Sequence, residues 1–221
     1  MPLALITGAA RANSIAAGIA PRLVSDGWVV ATSDLADADY PCDLANVDAP
    51  QKLVELVARE KGPISALVLS HAHDVPTGIL DTTADSFDRH IAVNARASLL
   101  LIGAFARQVP PEGGAVVALT SDATTGNLPY GASKGALDRI VISAGRELGA
   151  LGISANAVNP GPIDTGWMDD EVRRAVLADQ PQGRLGEPAD IANVVAFLVS
   201  EPGRWVSGQL LHVDGGFSAQ F

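Results

Sequence analysis

The sequence predicts an α/β fold: a single domain built on one doubly wound, largely parallel sheet with helices on both faces. Three observations carry this. Short apolar runs alternate along the chain with longer segments whose apolar residues recur at helical spacing. The runs at Leu3–Ile6 and Ile64–Ser70 are almost unbroken in apolarity, as strands covered on both sides require. The first run leads at once into a glycine turn and a helix start, Gly8-Ala-Ala-Arg-Ala-Asn-Ser14.

Composition bounds what such a domain can do. The 221 residues suffice for one domain with a large core, and 1–221 read as one unit without linker, repeat or low-complexity tract. Hydrophobic residues make up 48% but aromatics only 5%, so the core must be built from Ala, Val, Leu and Ile. The formal net charge is −10, and no basic stripe is visible, which argues against a nucleic-acid or anionic-membrane partner. Cys42 is the single cysteine, so no internal disulfide can form, and a cytoplasmic location is expected. No signal peptide or bilayer-spanning run is expected either.

The first strand is predicted at Leu3–Thr7 and a helix from about Ser14. Gly8 permits the tight turn between them. Ser14 can cap the helix and offer its hydroxyl and N–H to a pyrophosphate, beside Arg11 and Ile15; an ordinary capped helix is the plainer alternative. Pro21 should kink or shorten that helix. A second strand, Trp28–Ser33, is closed by Asp34, which either bonds an adenosine ribose or is a solvated loop residue. Too few residues separate it from Tyr40-Pro-Cys-Asp43 for a crossover helix, so a bare loop must reach the third strand. Asp43 and Leu44 would then end that strand beside an adenine pocket.

Val47–Lys61 follows as an amphipathic helix, with Leu53, Val54, Val57 and Ala58 inward. The fourth strand, Ile64–Ser70, ends in Ser70-His-Ala-His73. Two histidines two apart invite a zinc reading, but no third ligand is spaced to join them, and His73 is placed at a substrate mouth instead. Ser86–Arg107 is predicted as one long helix with Asn94 in its middle. Asparagine forms helix poorly, so Asn94 is either a surface residue or a buried one with a task, such as bonding a water near Lys134.

The chain then reaches its chemical centre. The strand Ala115–Leu119 ends in Thr120 and Ser121, and a helical pattern opens at Tyr130. Tyr130 and Lys134 are four apart and share a helix face. A nearby ammonium favours the phenolate and lowers a tyrosine's pKa, and a strand-end serine can polarise the same substrate oxygen. Leu137, Ile140, Val141, Ala144 and Leu148 form the inward stripe of this helix. Another core strand, Ile153–Val158, ends in Asn159-Pro-Gly-Pro-Ile-Asp-Thr165, an irregular loop whose backbone can approach a flat ring. Residues 164–182 read as an acidic, partly apolar lid, Pro188–Val199 as a helix, and Gln209–Val213 as a last strand.

Three motifs in this order, Tyr130-Gly-Ala-Ser-Lys134-Gly-Ala, Asn159-Pro-Gly-Pro-Ile-Asp-Thr165, and Gly183-Arg-Leu-Gly-Glu-Pro through Val213-Asp-Gly-Gly216, resemble those of the short-chain dehydrogenase/reductase family. The resemblance covers essentially the whole chain. It implies a single Rossmann-type domain of about seven parallel strands, and hydride transfer between NAD(H) and an alcohol or carbonyl. It further implies Tyr130 as general acid/base, Lys134 as the residue that lowers its pKa and holds the nicotinamide ribose, Ser121 on the substrate oxygen and Asn94 in a proton relay. Cofactor contacts are implied at Gly8, Arg11, Ser14, Ile15, Asp34, Asp43, Leu44, Ser70, Ala72, Pro160, Gly161, Ile163 and Thr165, with Thr165 on the carboxamide. A homotetramer or homodimer is implied too, with the Phe217–Phe221 tail in a contact.

Four departures qualify this. Gly8-x5-Ser14-Ile15-Ala16-x-Gly18-Ile19-Ala20 looks like the enoyl-acyl-carrier-protein reductase branch, whose tyrosine and lysine are spaced more widely than here. The usual Asn-Asn-Ala-Gly is Ser70-His-Ala-His73. The second crossover helix is missing. The interval from Ser121 to Tyr130 is short, leaving Thr120 and Thr124 as alternatives to Ser121. Asp34 would repel a 2′-phosphate more strongly than Arg11 attracts one, so NAD(H) is predicted over NADP(H). A non-catalytic dinucleotide-binding sensor or scaffold is the competing reading. Halohydrin lyase chemistry is disfavoured, since that group uses arginine where Lys134 stands.

Overall fold

In the computed structural model, which describes residues 1–219, seven strands form one sheet in the order β3-β2-β1-β4-β5-β6-β7. They are β1 (Leu3–Thr7), β2 (Val29–Asp34), β3 (Tyr40–Pro41), β4 (Ala66–Leu69), β5 (Gly114–Leu119), β6 (Ile153–Asn159) and β7 (Leu210–His212). Every pairing is parallel.

Parallel strands need coverage on both faces, and the side-chain alternation supplies it. Leu3, Leu5, Leu67, Leu69, Val116 and Ala118 enter one core, with Leu53, Val57, Leu101, Phe105, Leu137 and Val141 from the covering helices. Ala4, Ile6, Ala66, Val68, Ala115 and Val117 enter the other, against Ile19, Leu23, Ile191 and Val195. The helices of the first face are α2 (Ala49–Lys61), α4 (Ala97–Gln108) and α5 (Leu128–Glu147); those of the second are α1 (Ile15–Ser25) and α7 (Pro188–Val199). Each fully buried Leu or Phe contributes about 1.5–3 kcal/mol, so these two layers hold the sheet together.

No helix intervenes between β2 and β3. Five residues close the turn, helped by the Asp39 carboxylate, which accepts from the Thr32 N–H (2.9 Å) and hydroxyl (3.1 Å). Pro21 does not end α1, which runs on to Ser25. The long helix predicted around Asn94 starts slightly earlier and is interrupted: α3 (Ala84–His90) passes into a π-helical segment, Ile91–Arg96, before α4 resumes. The helix of Tyr130 opens two residues before it, with Pro129 in the first turn. The remaining helix, α6 (Asp170–Asp179), lies in the predicted lid and buries none of its residues. No described helix is long and apolar enough to cross a membrane.

The strand order reverses between β1 and β4. In open sheets of this kind ligands bind outside the carboxyl ends of the strands at that switch point.

Candidate active site

Gly8 sits at the switch point with φ +76°, a left-handed conformation that glycine adopts without strain. A Cβ there would lie 2.6 Å from the backbone of Ser70 and His71. Its N–H bonds the Ser33 carbonyl at 2.8 Å, so the loop is wedged between the ends of β2 and β4. Ser14 is buried and caps α1, its Oγ accepting from the Ala17 N–H at 3.1 Å; its own hydroxyl proton remains to be donated. Ile15 opens the helix, whose first turn holds no acidic residue, so the positive end of its dipole is not neutralised. Arg11 is exposed on the loop. Asp34 reaches back to the same loop: Oδ2 accepts from the Ala10 N–H at 2.9 Å and Oδ1 from the Leu35 N–H at 2.7 Å.

The other predicted cofactor residues divide. Asp43 and Leu44 stand just past β3 rather than ending it. Asp43 accepts from the Ala45 N–H (2.9 Å) and pairs with Arg89 (3.4 Å), while the Leu44 side chain belongs to the core. Ser70 follows β4, its N–H on the Thr7 carbonyl at 3.2 Å, and Ala72 is exposed beyond it. Pro160, Gly161, Ile163 and Thr165 follow β6. Gly161 has φ +62°, and a Cβ on it would overlap the Asp214 side chain. Ile163 is buried and bridges to Gly186, and the Thr165 N–H bonds the Ile163 carbonyl at 3.0 Å. A cleft of about 320 Å³ between this loop, Arg184 and Asp214 includes neither Tyr130 nor Lys134.

At the end of β5 the predicted hydroxyl, phenol and ammonium come together. Lys134 is buried, with its Nζ 5.6 Å from the centre of the Tyr130 ring and donating to the Leu119 carbonyl at 2.8 Å. Burial lowers its pKa to about 8, against the raising influence of the Asp138 and Asp74 carboxylates. The Ser121 hydroxyl stands at the same strand end, its Oγ accepting from the Ala123 N–H at 3.2 Å. Thr120 is turned away: it is buried, its hydroxyl donating to the Lys134 carbonyl at 3.4 Å. Thr124 is exposed on the turn. Of the three hydroxyls, Ser121 is the one whose surroundings include the Tyr130 phenol.

The phenol itself is held above its ordinary pKa. Burial is the main cause and Asp74 adds to it, while the neighbouring Ser121 hydroxyl opposes them. The lowering predicted from the ammonium is not found: Lys134 lies over the ring and bonds a carbonyl rather than the phenol oxygen.

Asn94 is fully buried in the π-helical segment, which excludes a surface role. Its Oδ1 accepts from the His73 N–H at 2.7 Å, and its Nδ2 donates to the His73 carbonyl (2.9 Å) and the Ser133 hydroxyl (2.8 Å). Both amide hydrogens are engaged, so the side chain clamps the strand-four loop to α5 rather than presenting a donor to a water. His71 is buried too. Its Nδ1 lies 2.6 Å from the Thr7 hydroxyl and its Nε2 3.1 Å from the Val93 carbonyl. Burial, with the Lys134 charge, lowers its pKa to about 3, so it is neutral. His73 packs against His90 with ring centres 4.5 Å apart and the planes tilted by 59°. No cluster of three metal-ligating groups exists among the described residues.

With this geometry in place, comparison with known proteins decides the family. A family model described as Enoyl-(Acyl carrier protein) reductase matches residues 8–218. An uncharacterized oxidoreductase of Bacillus subtilis, YjdA, is 35% identical over 97% of this chain and 96% of that protein. The chain belongs to the short-chain dehydrogenase/reductase family. Solved members superpose closely. A short-chain dehydrogenase/reductase from Serratia marcescens has a TM-score of 0.91 at 28% identity, covering 99% of this chain and 98% of that one. A blue fluorescent protein from a metagenomic library, in complex with NADPH, has the same score at 30% identity and the same coverage.

Sequence reasoning missed three neighbours of this candidate centre in the short-chain dehydrogenase/reductase. They are Ser133, which receives Asn94; Asp138, beside Lys134; and Asp74, whose charge reaches both Tyr130 and Lys134. Asp138 was findable, since it lies one helical turn past Lys134. Asp74 follows a strand end, where only the fold shows what it faces.

Proposed function

We propose that this short-chain dehydrogenase/reductase transfers a hydride between NAD(H) and an alcohol or carbonyl compound, with Tyr130 as general acid/base. The observation that carries the reading is the placing of Ser121, Tyr130 and the buried Lys134 at one strand end, with the Lys134 Nζ 5.6 Å from the centre of the Tyr130 ring. The dinucleotide, when bound, supplies or accepts the hydride; the chain's residues manage the proton and the positioning. In reduction Tyr130 gives its proton to the substrate oxygen and Ser121 donates a hydrogen bond to the same atom. A phenol held above its ordinary pKa stays protonated and suits that direction. Asn94 acts as a positioning residue.

The residues present fit a dinucleotide. Gly8 lets the loop pack tightly against the ends of β2 and β4, and the α1 N-terminus is open to a pyrophosphate. The Leu119 carbonyl is the only hydrogen-bond partner of the Lys134 ammonium among the described residues, leaving donors for a ribose. Arg11, Ser14 and Ile15 would face the pyrophosphate, and Asp34, Asp43 and Leu44 the adenosine. Ser70 and Ala72 would follow the chain of the cofactor, and Pro160, Gly161, Ile163 and Thr165 would hold the nicotinamide. Asp34 is fixed by two backbone N–H groups, whereas Arg11 is exposed, which favours NAD(H) over NADP(H). Fluorescence titration with NADH and NADPH is expected to show tighter NADH binding. Clearly tighter NADPH binding would refute the preference.

Residues 164–182 act as a lid in this reading, consistent with an α6 that buries nothing of its own. The protein assembles as a homodimer or homotetramer, which the exposed Leu99, Phe197 and Trp205 (52%, 47% and 98%) support. Phe217 of the predicted tail contact is 38% exposed, and Phe221 lies outside the described residues.

A further inference from the structure

We propose that Asp74 sets the substrate class: the site selects carbonyls or alcohols that carry a positive charge near the reacting carbon, and disfavours carboxylates and phosphates there. This rests on Tyr130 being the acid/base and names what it acts on.

Asp74 lies on the segment after β4, opposite the opening of α5. Its Oδ1 accepts from the Asn127 Nδ2 at 2.7 Å, and Asn127 is the residue that precedes α5. A second strap joins the same segments, from the Leu128 N–H to the Thr77 carbonyl at 3.1 Å. The carboxylate is thereby held beside the first turn of α5, which carries Tyr130, instead of swinging in solvent. It is nonetheless solvent-exposed, and it enters no ion pair among the described residues.

Its charge is the one that acts on the phenol, and it acts on Lys134 as well. No cation answers it from the solvent side. Lys134 is buried beneath the ring, and Arg89 pairs with Asp43. In the lid, Arg173 pairs with Asp164 and Arg174 bonds the Asp170 carbonyl. That segment carries five acidic residues, Asp164, Asp169, Asp170, Glu171 and Asp179, against these two arginines. An anionic substrate would meet the unpaired Asp74 carboxylate, and a cationic one would neutralise it. Pairing Asp74 with a substrate cation would also relieve its hold on the Tyr130 proton.

The test uses three benzaldehydes of one shape: 4-trimethylammonio-, unsubstituted and 4-carboxybenzaldehyde. Each is reduced by the wild type and by Asp74→Asn, which keeps an oxygen for Asn127. The wild type is expected to favour the ammonium over the carboxylate in kcat/KM, and Asp74→Asn to cut that ratio by at least about threefold. An unchanged ratio in Asp74→Asn, or a wild-type preference for the carboxylate, would overturn the proposal. A binding readout stands beside it. NMR titration of the cofactor-free protein with benzyltrimethylammonium should show binding that Asp74→Asn weakens, and benzoate should bind less well; binding unaffected by Asp74→Asn counts against the idea. Asp74-dependent ammonium binding without turnover of any aldehyde would support the charge selection while sinking the hydride-transfer reading.

Discussion

At the scale of single residues, the site is built from groups that burial has pushed away from their usual protonation. His71 shows it most plainly. It stands where the family has the second asparagine of Asn-Asn-Ala-Gly, and it is tied to the Thr7 hydroxyl and the Val93 carbonyl. Its pKa is about 3 in the folded protein against 6.5 in an exposed histidine. Between those values the unfolded chain binds a proton that the folded chain does not. The contribution of His71 to stability is therefore complete above pH 6.5 and is lost as pH falls toward 3. Going from pH 7 to pH 5 this group alone should remove about 2 kcal/mol. Urea midpoints at the two pH values should fall more for the wild type than for His71→Asn. Equal falls would show that this imidazole is not held neutral by the fold. Ser121, Tyr130 and Lys134 were legible in the sequence because their spacing is local. The raised phenol pKa was not, because Asp74 and the burial of the ring come from distant parts of the chain.

At the scale of elements, the glycine turn and the π-helical segment position the chemistry. The turn was legible: a strand, Gly8 and a helix cap follow one another in sequence. What it packs against, the backbone of Ser70 and His71, was not. Gly8→Ala would combine a disfavoured φ of +76° with a Cβ 2.6 Å from backbone atoms that cannot swing aside. It should destabilise the protein by roughly 2 kcal/mol or more. A chemical-denaturation midpoint equal to that of the wild type would contradict the wedged-loop description. The π-helical segment was read as ordinary helix, since periodicity tells a helix from a strand but does not resolve one widened turn. Asn94 was the local clue: its side chain leaves the helix to bond the His73 backbone and Ser133.

At the scale of the whole molecule, the two-sided core, the parallel sheet and the missing crossover before β3 were all legible in the hydrophobic pattern and the loop lengths. The length of β3 was not, because its two residues follow from the turn held by Asp39 rather than from any apolar run. Exposed Trp205 and the half-exposed edge of β7 point outward from the same domain, and light scattering at micromolar concentration should give at least a dimer. A monomer would refute self-association through these surfaces. The most direct test of the central claim is the rate of NADH oxidation with a carbonyl substrate, compared between the wild type and Tyr130→Phe, with NADH binding measured alongside. Binding should persist while the rate falls by about a hundredfold or more. A variant that turns over at nearly the wild-type rate would contradict Tyr130 as the acid/base.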